Sequence, residues 1–319
     1  PAMTSVAGHV EAAAGAVTTD RGRWREILTD VAVVTVTPFS GPQLGSVDHD
    51  GLARNIRRLV GAGIRLLVAG GNTGEFAALA PSEVVDVVRT HVRVARGRAR
   101  VLAGIGYRLE EAAELGRRAM DAGAEGLLVH QPIHPYASER GLIRYYELLG
   151  DALPGVPLTL YVRGSQLSAE GAREVSRIDS VVGVKVGVAD VERFERLVDA
   201  APELAWVCGV AETWAVPFHE RGAVGFTSGV ANVLPERSLA VFDALRAGDV
   251  ARASALVDEL RPIEDLRAAH DGANNVAAIK AAMDRVGLVG GDLRPPLSSL
   301  DADDATRLAE VLRAMEVLG

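Results

Sequence analysis

Two lysines stand in a chain of 319 residues whose other basic side chains, histidines aside, are all arginine. Arginine stays charged, whereas a buried lysine loses its proton and becomes a nucleophile, so each lysine is a candidate for chemistry. Lys185 sits in Val181-Val182-Gly183-Val184-Lys185-Val186-Gly187-Val188. An ammonium in so apolar a segment is costly unless it is paired with a buried carboxylate, snorkels to the surface or gives up its charge. In the last case the free amine attacks a carbonyl and forms a Schiff base. Lys280, in Ala277-Ala278-Ile279-Lys280-Ala281-Ala282-Met283, reads instead as a solvated or ion-paired helix lysine.

Other residues could serve such an amine. Gly70-Gly71-Asn72-Thr73-Gly74-Glu75 is a glycine-rich turn in which backbone amides from Gly71 to Gly74 can converge on a carboxylate, with Asn72 and Thr73 adding polar side chains. The Thr73 hydroxyl could also relay protons. Tyr161, at the end of Leu158-Thr159-Leu160-Tyr161, is a phenol able to pass a proton to and from a carbinolamine. Arg163, two residues on, points to the same side of an extended chain and suits a second carboxylate. His130, Gln131 and His134 are expected as polar lining, because no Asp, Glu or Cys in that segment completes a metal-ligand set. Cys208 reads as a small buried side chain, and Ser228 with Gly229 as a boundary of the substrate pocket.

The elements that must position these residues alternate regularly. Near-continuous apolar runs occur at Val31–Phe39, Ile64–Gly71, Ala99–Gly106, Gly126–Pro132, Pro157–Arg163, Val181–Val188, Leu204–Val210 and Ala223–Thr227. Such runs suit strands buried on both faces of a parallel sheet. Amphipathic stretches separate them, at Asp48–Ala62, Pro81–Ala95, Glu110–Ala122, Ser138–Ala152, Ala169–Ile178, Asp190–Ala200 and Glu212–Arg221, and Leu234–Ala247 supplies an eighth helix. Eight strand–helix units predict a (β/α)8 TIM barrel over residues 31–247. Residues 1–30 read as a partly disordered N-terminal arm. Residues 248–319 read as a C-terminal helical extension, with helices at 249–260, 262–286 and 301–318. No G-x-G-x-x-G turn follows the first strand to support an open doubly wound sheet.

Composition narrows the partners. Lys plus Arg total 34 and Asp plus Glu total 42, a net charge of −8, so no basic face for nucleic acid is expected. One cysteine allows no intramolecular disulfide and suits a reducing cytoplasm. No apolar run is long enough for a membrane span, and the stretch 1–20 lacks the basic start of a signal peptide.

Taken together the motifs resemble the dihydrodipicolinate synthase and N-acetylneuraminate lyase superfamily of class I aldolases. Thr35-Val36-Thr37-Pro38-Phe39 resembles its first strand, Gly71-Asn72-Thr73-Gly74-Glu75 its carboxylate loop, and Gly183-Val184-Lys185 its Schiff-base G-x-K. Leu293-Arg294-Pro295-Pro296-Leu297 resembles its C-terminal R-P-P-L stretch. The resemblance implies Lys185 as the imine-forming residue, Tyr161 as proton relay, Thr73 as relay and carboxylate ligand, and a homodimer or homotetramer. The chain departs from dihydrodipicolinate synthase at Val162-Arg163-Gly164, at Pro132-Ile133-His134, where His134 stands for a tyrosine, and at Asn72. The 5-dehydro-4-deoxyglucarate dehydratase branch is similar in Tyr161-Val162-Arg163 and Asp190-Val191-Glu192-Arg193, although Val186 follows the lysine where that branch tends to carry an acid.

The expectation is therefore a cytoplasmic Schiff-base lyase for a small 2-oxo acid, pyruvate or a sugar-derived keto acid, needing no metal or organic cofactor. Dihydrodipicolinate synthase activity, a non-catalytic keto-acid-binding barrel and a metal-dependent aldolase are the alternatives.

Overall fold

The computed structural model describes residues 19–41, 45–164 and 166–317. Eight parallel strands close into a barrel: β1 (Val31–Val34), β2 (Leu66–Ala69), β3 (Arg100–Ile105), β4 (Gly126–His130), β5 (Leu158–Val162), β6 (Val181–Val186), β7 (Ala205–Cys208) and β8 (Gly225–Ser228), with β8 pairing back onto β1. Each falls inside or within a residue of an expected apolar run. The first run is shorter than expected. Pro38 has no N–H for a ladder, and Phe39 pairs instead with Val47 in a two-stranded antiparallel ribbon outside the barrel.

Two apolar layers follow from strand alternation. Outward side chains such as Val33, Leu67, Val129 and Leu160 join one continuous cluster under the helices. Inward side chains form a separate, smaller cluster that includes Val34, Leu66, Leu102, Leu128, Tyr161 and Val207.

The floor of that inner cluster comes from the stretch assigned to the N-terminal arm. Asp20 caps a helix, α1 (Arg21–Leu28), which turns Trp24 and Leu28 into the barrel's N-terminal mouth. Glycine makes the room: a Cβ on Gly126 would stand 2.6 Å from the Trp24 ring, and one on Gly183 would stand 2.7 Å from Leu28. Arg21 and Arg25 tie α1 to carbonyls at Val181 and Leu204. The expectation of a loosely ordered arm otherwise concerns residues 1–18, which lie outside the described residues.

Helices α2 (His49–Gly61), α3 (Pro81–Ala95), α4 (Leu109–Asp121), α5 (Glu139–Ala152), α6 (Ala169–Val175), α7 (Val191–Ala200), α8 (Ala215–His219) and α9 (Pro235–Arg246) pack outside the strands. The extension follows as α10 (Val250–Ala268), α11 (Asn274–Arg285) and α12 (Ala302–Ala314). The break expected at Pro262 is absent. Pro262 lies on the exposed face of α10, where the carbonyl it leaves unpaired faces water, so the helix runs through it. Among the described residues no helix is long and apolar enough to cross a membrane.

Trp24 is 3% exposed and fills the barrel floor. Trp24→Ala should lower the unfolding free energy in urea by about 3–5 kcal/mol; a loss under about 1 kcal/mol would mean that the floor needs no plug.

Candidate active site

The C-terminal ends of the strands surround a cavity of about 710 Å³. Strand register sets its chemistry. Tyr161 on β5, Lys185 on β6 and Val207 on β7 are register partners, so all three point inward in one layer. Lys185 is 4% exposed, and its Nζ lies 3.9 Å from the centroid of the Tyr161 ring. Glycines beyond the next strand ends admit both side chains. A Cβ on Gly209 would lie 2.9 Å from the Lys185 stem, and one on Gly187 would lie 2.7 Å from the Tyr161 ring.

Among the described residues no carboxylate forms an ion pair with Lys185. Burial therefore pushes its amine down to about 7, helped by the positive charges of Arg163 and Arg267. Burial also holds the Tyr161 phenol above its usual value, so it stays protonated and can donate.

The glycine-rich turn after β2 faces these two residues across the mouth. Its fold is set by amides turned inward: Gly74 and Phe76 donate to the Gly71 carbonyl, and Glu75 donates to that of Asn72. Among the described residues the amides of Asn72 and Thr73 have no such acceptor, and both residues line the cavity. The Asn72 side-chain amide donates to the Tyr161 hydroxyl at 3.5 Å. Gly71 and Gly74 lie behind the lining. They act by smallness, since a Cβ on Gly71 would meet Val34 at 2.4 Å and one on Gly74 the Thr35 carbonyl at 2.7 Å. The carboxylate cradle expected from Gly71 to Gly74 thus narrows to Asn72 and Thr73.

Glu75 anchors that turn at positive φ. Its side chain is buried against Lys280 of α11, Oε1 to Nζ 2.5 Å, and its Oε2 accepts the Arg294 amide at 3.0 Å. Lys280 also donates to the Asp292 carbonyl at 2.6 Å. The second lysine is therefore the ion-paired one, although buried rather than solvated.

Arg163 lines the cavity, and among the described residues its guanidinium makes no ion pair. Gln131 steadies it from behind by accepting from the Arg163 and Gly164 amides. Ser228 also borders the cavity, yet its hydroxyl is spent on the fully buried Glu212 at 2.5 Å and on the Ala231 amide. Burial, and then the nearby Glu264 charge, raise the Glu212 carboxyl.

His134 does not line the cavity of its own chain. It lies exposed in the loop after β4, accepting from the Tyr136 amide, because the chain leaves the barrel rim at Gln131. His130 is buried in a stack with Phe76 and held by burial to about 4, hence neutral. Sequence reasoning missed Arg267, Glu264 and Asn275, which reach the cavity from the extension.

Fold and site define a (β/α)8 barrel whose C-terminal mouth holds an unpaired, buried lysine amine beside a phenol. Comparison with known proteins agrees. The Dihydrodipicolinate synthetase family profile matches residues 28–315. A 4-hydroxy-tetrahydrodipicolinate synthase of Methanoculleus marisnigri is 34% identical over 87% of this chain and 96% of its own. A probable 5-dehydro-4-deoxyglucarate dehydratase of Streptomyces coelicolor is 35% identical over 87% and 90%. The crystal structure of dihydrodipicolinate synthase from Oceanobacillus iheyensis superposes with a TM-score of 0.90, at 37% identity, covering 93% of this chain and 99% of that one. The chain belongs to the dihydrodipicolinate synthetase family, and it is a lyase of that family.

The two lysines make opposite predictions. Lys280→Met strands the buried Glu75 carboxylate and should cost about 3–5 kcal/mol of stability in a urea melt. Lys185 instead has no counter-carboxylate among the described residues. Its neutral fraction grows as pH rises, so covalent capture of a carbonyl by Lys185 should accelerate through a midpoint near 7. Arg163→Ala removes a positive charge that favours the neutral amine and should move that midpoint upward; a midpoint that does not move would show that the guanidinium charge does not reach Nζ.

Proposed function

We propose that the chain is a Schiff-base lyase for a 2-oxo acid that carries a second carboxylate, acting as a dehydratase of the 5-dehydro-4-deoxyglucarate type. The observation that carries this reading is the unpaired Arg163 guanidinium at the rim of a cavity built around a deprotonatable Lys185. A guanidinium without a counter-charge at the cavity lining is suited to a ligand carboxylate. The similarity to the Streptomyces coelicolor dehydratase supports it.

The geometry supports the following sequence of events. The α-carboxylate rests on the Asn72 and Thr73 amides, which aims the ketone at Nζ on the far side of the mouth. Nζ adds to the carbonyl carbon, Tyr161 donates a proton to the oxygen, and water leaves. The resulting iminium acidifies the neighbouring C–H. Loss of that proton gives an enamine, whose electrons expel the hydroxyl one carbon further along. The unsaturated iminium then accepts the electron pair released as the distal carboxylate leaves as CO2, the resulting dienamine takes up a proton on carbon, and water hydrolyses the imine to free Lys185. Thr73 borders this path and serves the proton transfers with Tyr161.

The similarity to the Methanoculleus marisnigri enzyme supports a second reading, synthesis of a cyclic product from pyruvate and aspartate semialdehyde. Incubation with each substrate set separates the two by product.

Borohydride reduction in the presence of pyruvate or a six-carbon 2-oxo diacid, followed by peptide mass spectrometry, tests the shared chemistry. A reduced adduct on Lys185 is expected, faster with the diacid, and absent in Lys185→Arg. Tyr161→Phe should slow turnover by about 10²–10⁴-fold. Normal turnover by Lys185→Arg would remove the imine from the mechanism.

A further inference from the structure

The helical extension sends one ion pair into the mouth of the barrel. Arg267 and Glu264 stand one turn apart on α10, are 4% and 9% exposed, and join Nη1 to Oε1 at 2.6 Å. Both line the cavity that holds Lys185. Arg267 Nε donates to the Asn275 carbonyl at 3.3 Å, and Nη2 donates to Asn275 Oδ1 at 3.2 Å. A guanidinium carries five N–H donors. Among the described residues three of these find partners, which leaves two uncommitted. Glu264 Oε2 likewise accepts no hydrogen bond among the described residues, and it belongs to the carboxylate that Nη1 already holds through Oε1.

Residue 229 decides whether this pair can enter the mouth. Gly229 follows β8, and a Cβ there would stand 2.4 Å from Arg267 Nη2. Its backbone, at φ −95° and ψ −37°, is open to any residue. The requirement for glycine is thus one of space for the guanidinium.

The two cavity arginines differ in charge balance. Arg163 has no counter-carboxylate, so it is matched to an anion. Arg267 is already neutralised by Glu264, which would repel a second carboxylate. What the pair presents is donors next to an acceptor with no net charge. A hydroxyl, which both donates and accepts, is the group that uses both. Arg163 follows β5 and Gly229 follows β8, three strands apart in the closed barrel, with the β6 amine between them. A ligand tethered at Lys185 can therefore meet both.

We propose that the Glu264–Arg267 pair is a specificity site that recognises a hydroxyl on the tail of the 2-oxo acid held at Lys185, with Asn275 positioning the guanidinium and Gly229 admitting it. This rests on the reading of Lys185 as an imine-forming residue. The extension then selects hydroxylated acids over equally long acids without hydroxyls.

Two probes test it: 2-oxoadipate and its 4,5-dihydroxy counterpart, equal in length and in carboxylates. The rate of borohydride-dependent adduct formation on Lys185 is measured for each at subsaturating concentration and divided by the rate with pyruvate, which has no tail. The unaltered protein should prefer the hydroxylated acid. Gly229→Ala, which displaces the guanidinium while keeping every charge, should reduce that preference about tenfold or more, and Arg267→Gln should do the same. Arg267→Gln leaves Glu264 unpaired and could fail to fold, in which case Gly229→Ala alone carries the test. A preference unchanged in folded Gly229→Ala overturns the hydroxyl site and leaves the imine intact. Absence of any adduct in the unaltered protein, pyruvate included, removes the imine reading and the hydroxyl site with it.

Discussion

An ammonium ion cut off from water inside a barrel of valines and leucines is too costly to keep, and the upper half of this barrel is arranged around that cost. Only the face of the Tyr161 ring offsets the charge on Lys185 among the described residues. No carboxylate pairs with it among the described residues, and the nearest strong charges, Arg163 and Arg267, have the same sign as its own. Burial and those charges bring the amine down to about 7, so a neutral form is within reach at neutral pH. The surrounding geometry preserves that state. Glycines at 187 and 209 let the side chains pack without widening the barrel, and the Tyr161 ring covers the amine. Below, Trp24 closes the opposite mouth.

Lys280 shows the other solution to the same problem. It is as deeply buried, but it meets Glu75 at 2.5 Å and a backbone carbonyl. One lysine is held charged by a counter-ion, and the other, lacking one, is brought down to about 7 by burial. The chain thereby uses burial twice for opposite ends, once to lock the turn that carries Asn72 and Thr73, and once to favour a neutral amine across from it.

What could be read from the sequence follows the same physics. The eight strands were legible because parallel strands buried on both faces are written as continuous apolar runs, and a lysine interrupting such a run is conspicuous. Tyr161 and Arg163 were legible from their place at a strand end. Glu264 and Arg267 were not. An i,i+3 acid–arginine pair on a helix is spelled the same way whether it faces water or a cavity. The side chains of Glu170 and Arg173 form such a pair at 63% and 50% exposure, while those of Glu264 and Arg267 form theirs at 10% and 5% side-chain exposure. Only the docking of α10 against the mouth distinguishes them. His134 shows the converse, since a polar residue just past a strand end can leave its own chain's cavity with the loop. The helix at Arg21–Leu28 was hidden because its four charged side chains outnumber its three apolar ones, and only Trp24 and Leu28 are fully buried.

The contact between Glu75 and the end of the chain also has a temporal meaning. Glu75 is translated early, yet the residues that neutralise and orient it, Lys280 and Arg294, come far later; the hydrogen bond from the Arg294 amide spans 219 positions. Until those residues have left the ribosome, the carboxylate has no partner that would let it leave water, and the turn bearing Asn72 and Thr73 has no fixed seat. All eight strands are made before that point. A nascent chain can therefore pair its eight strands while the turn bearing Asn72 and Thr73 stays unset, and that turn is seated only after Arg294 has emerged.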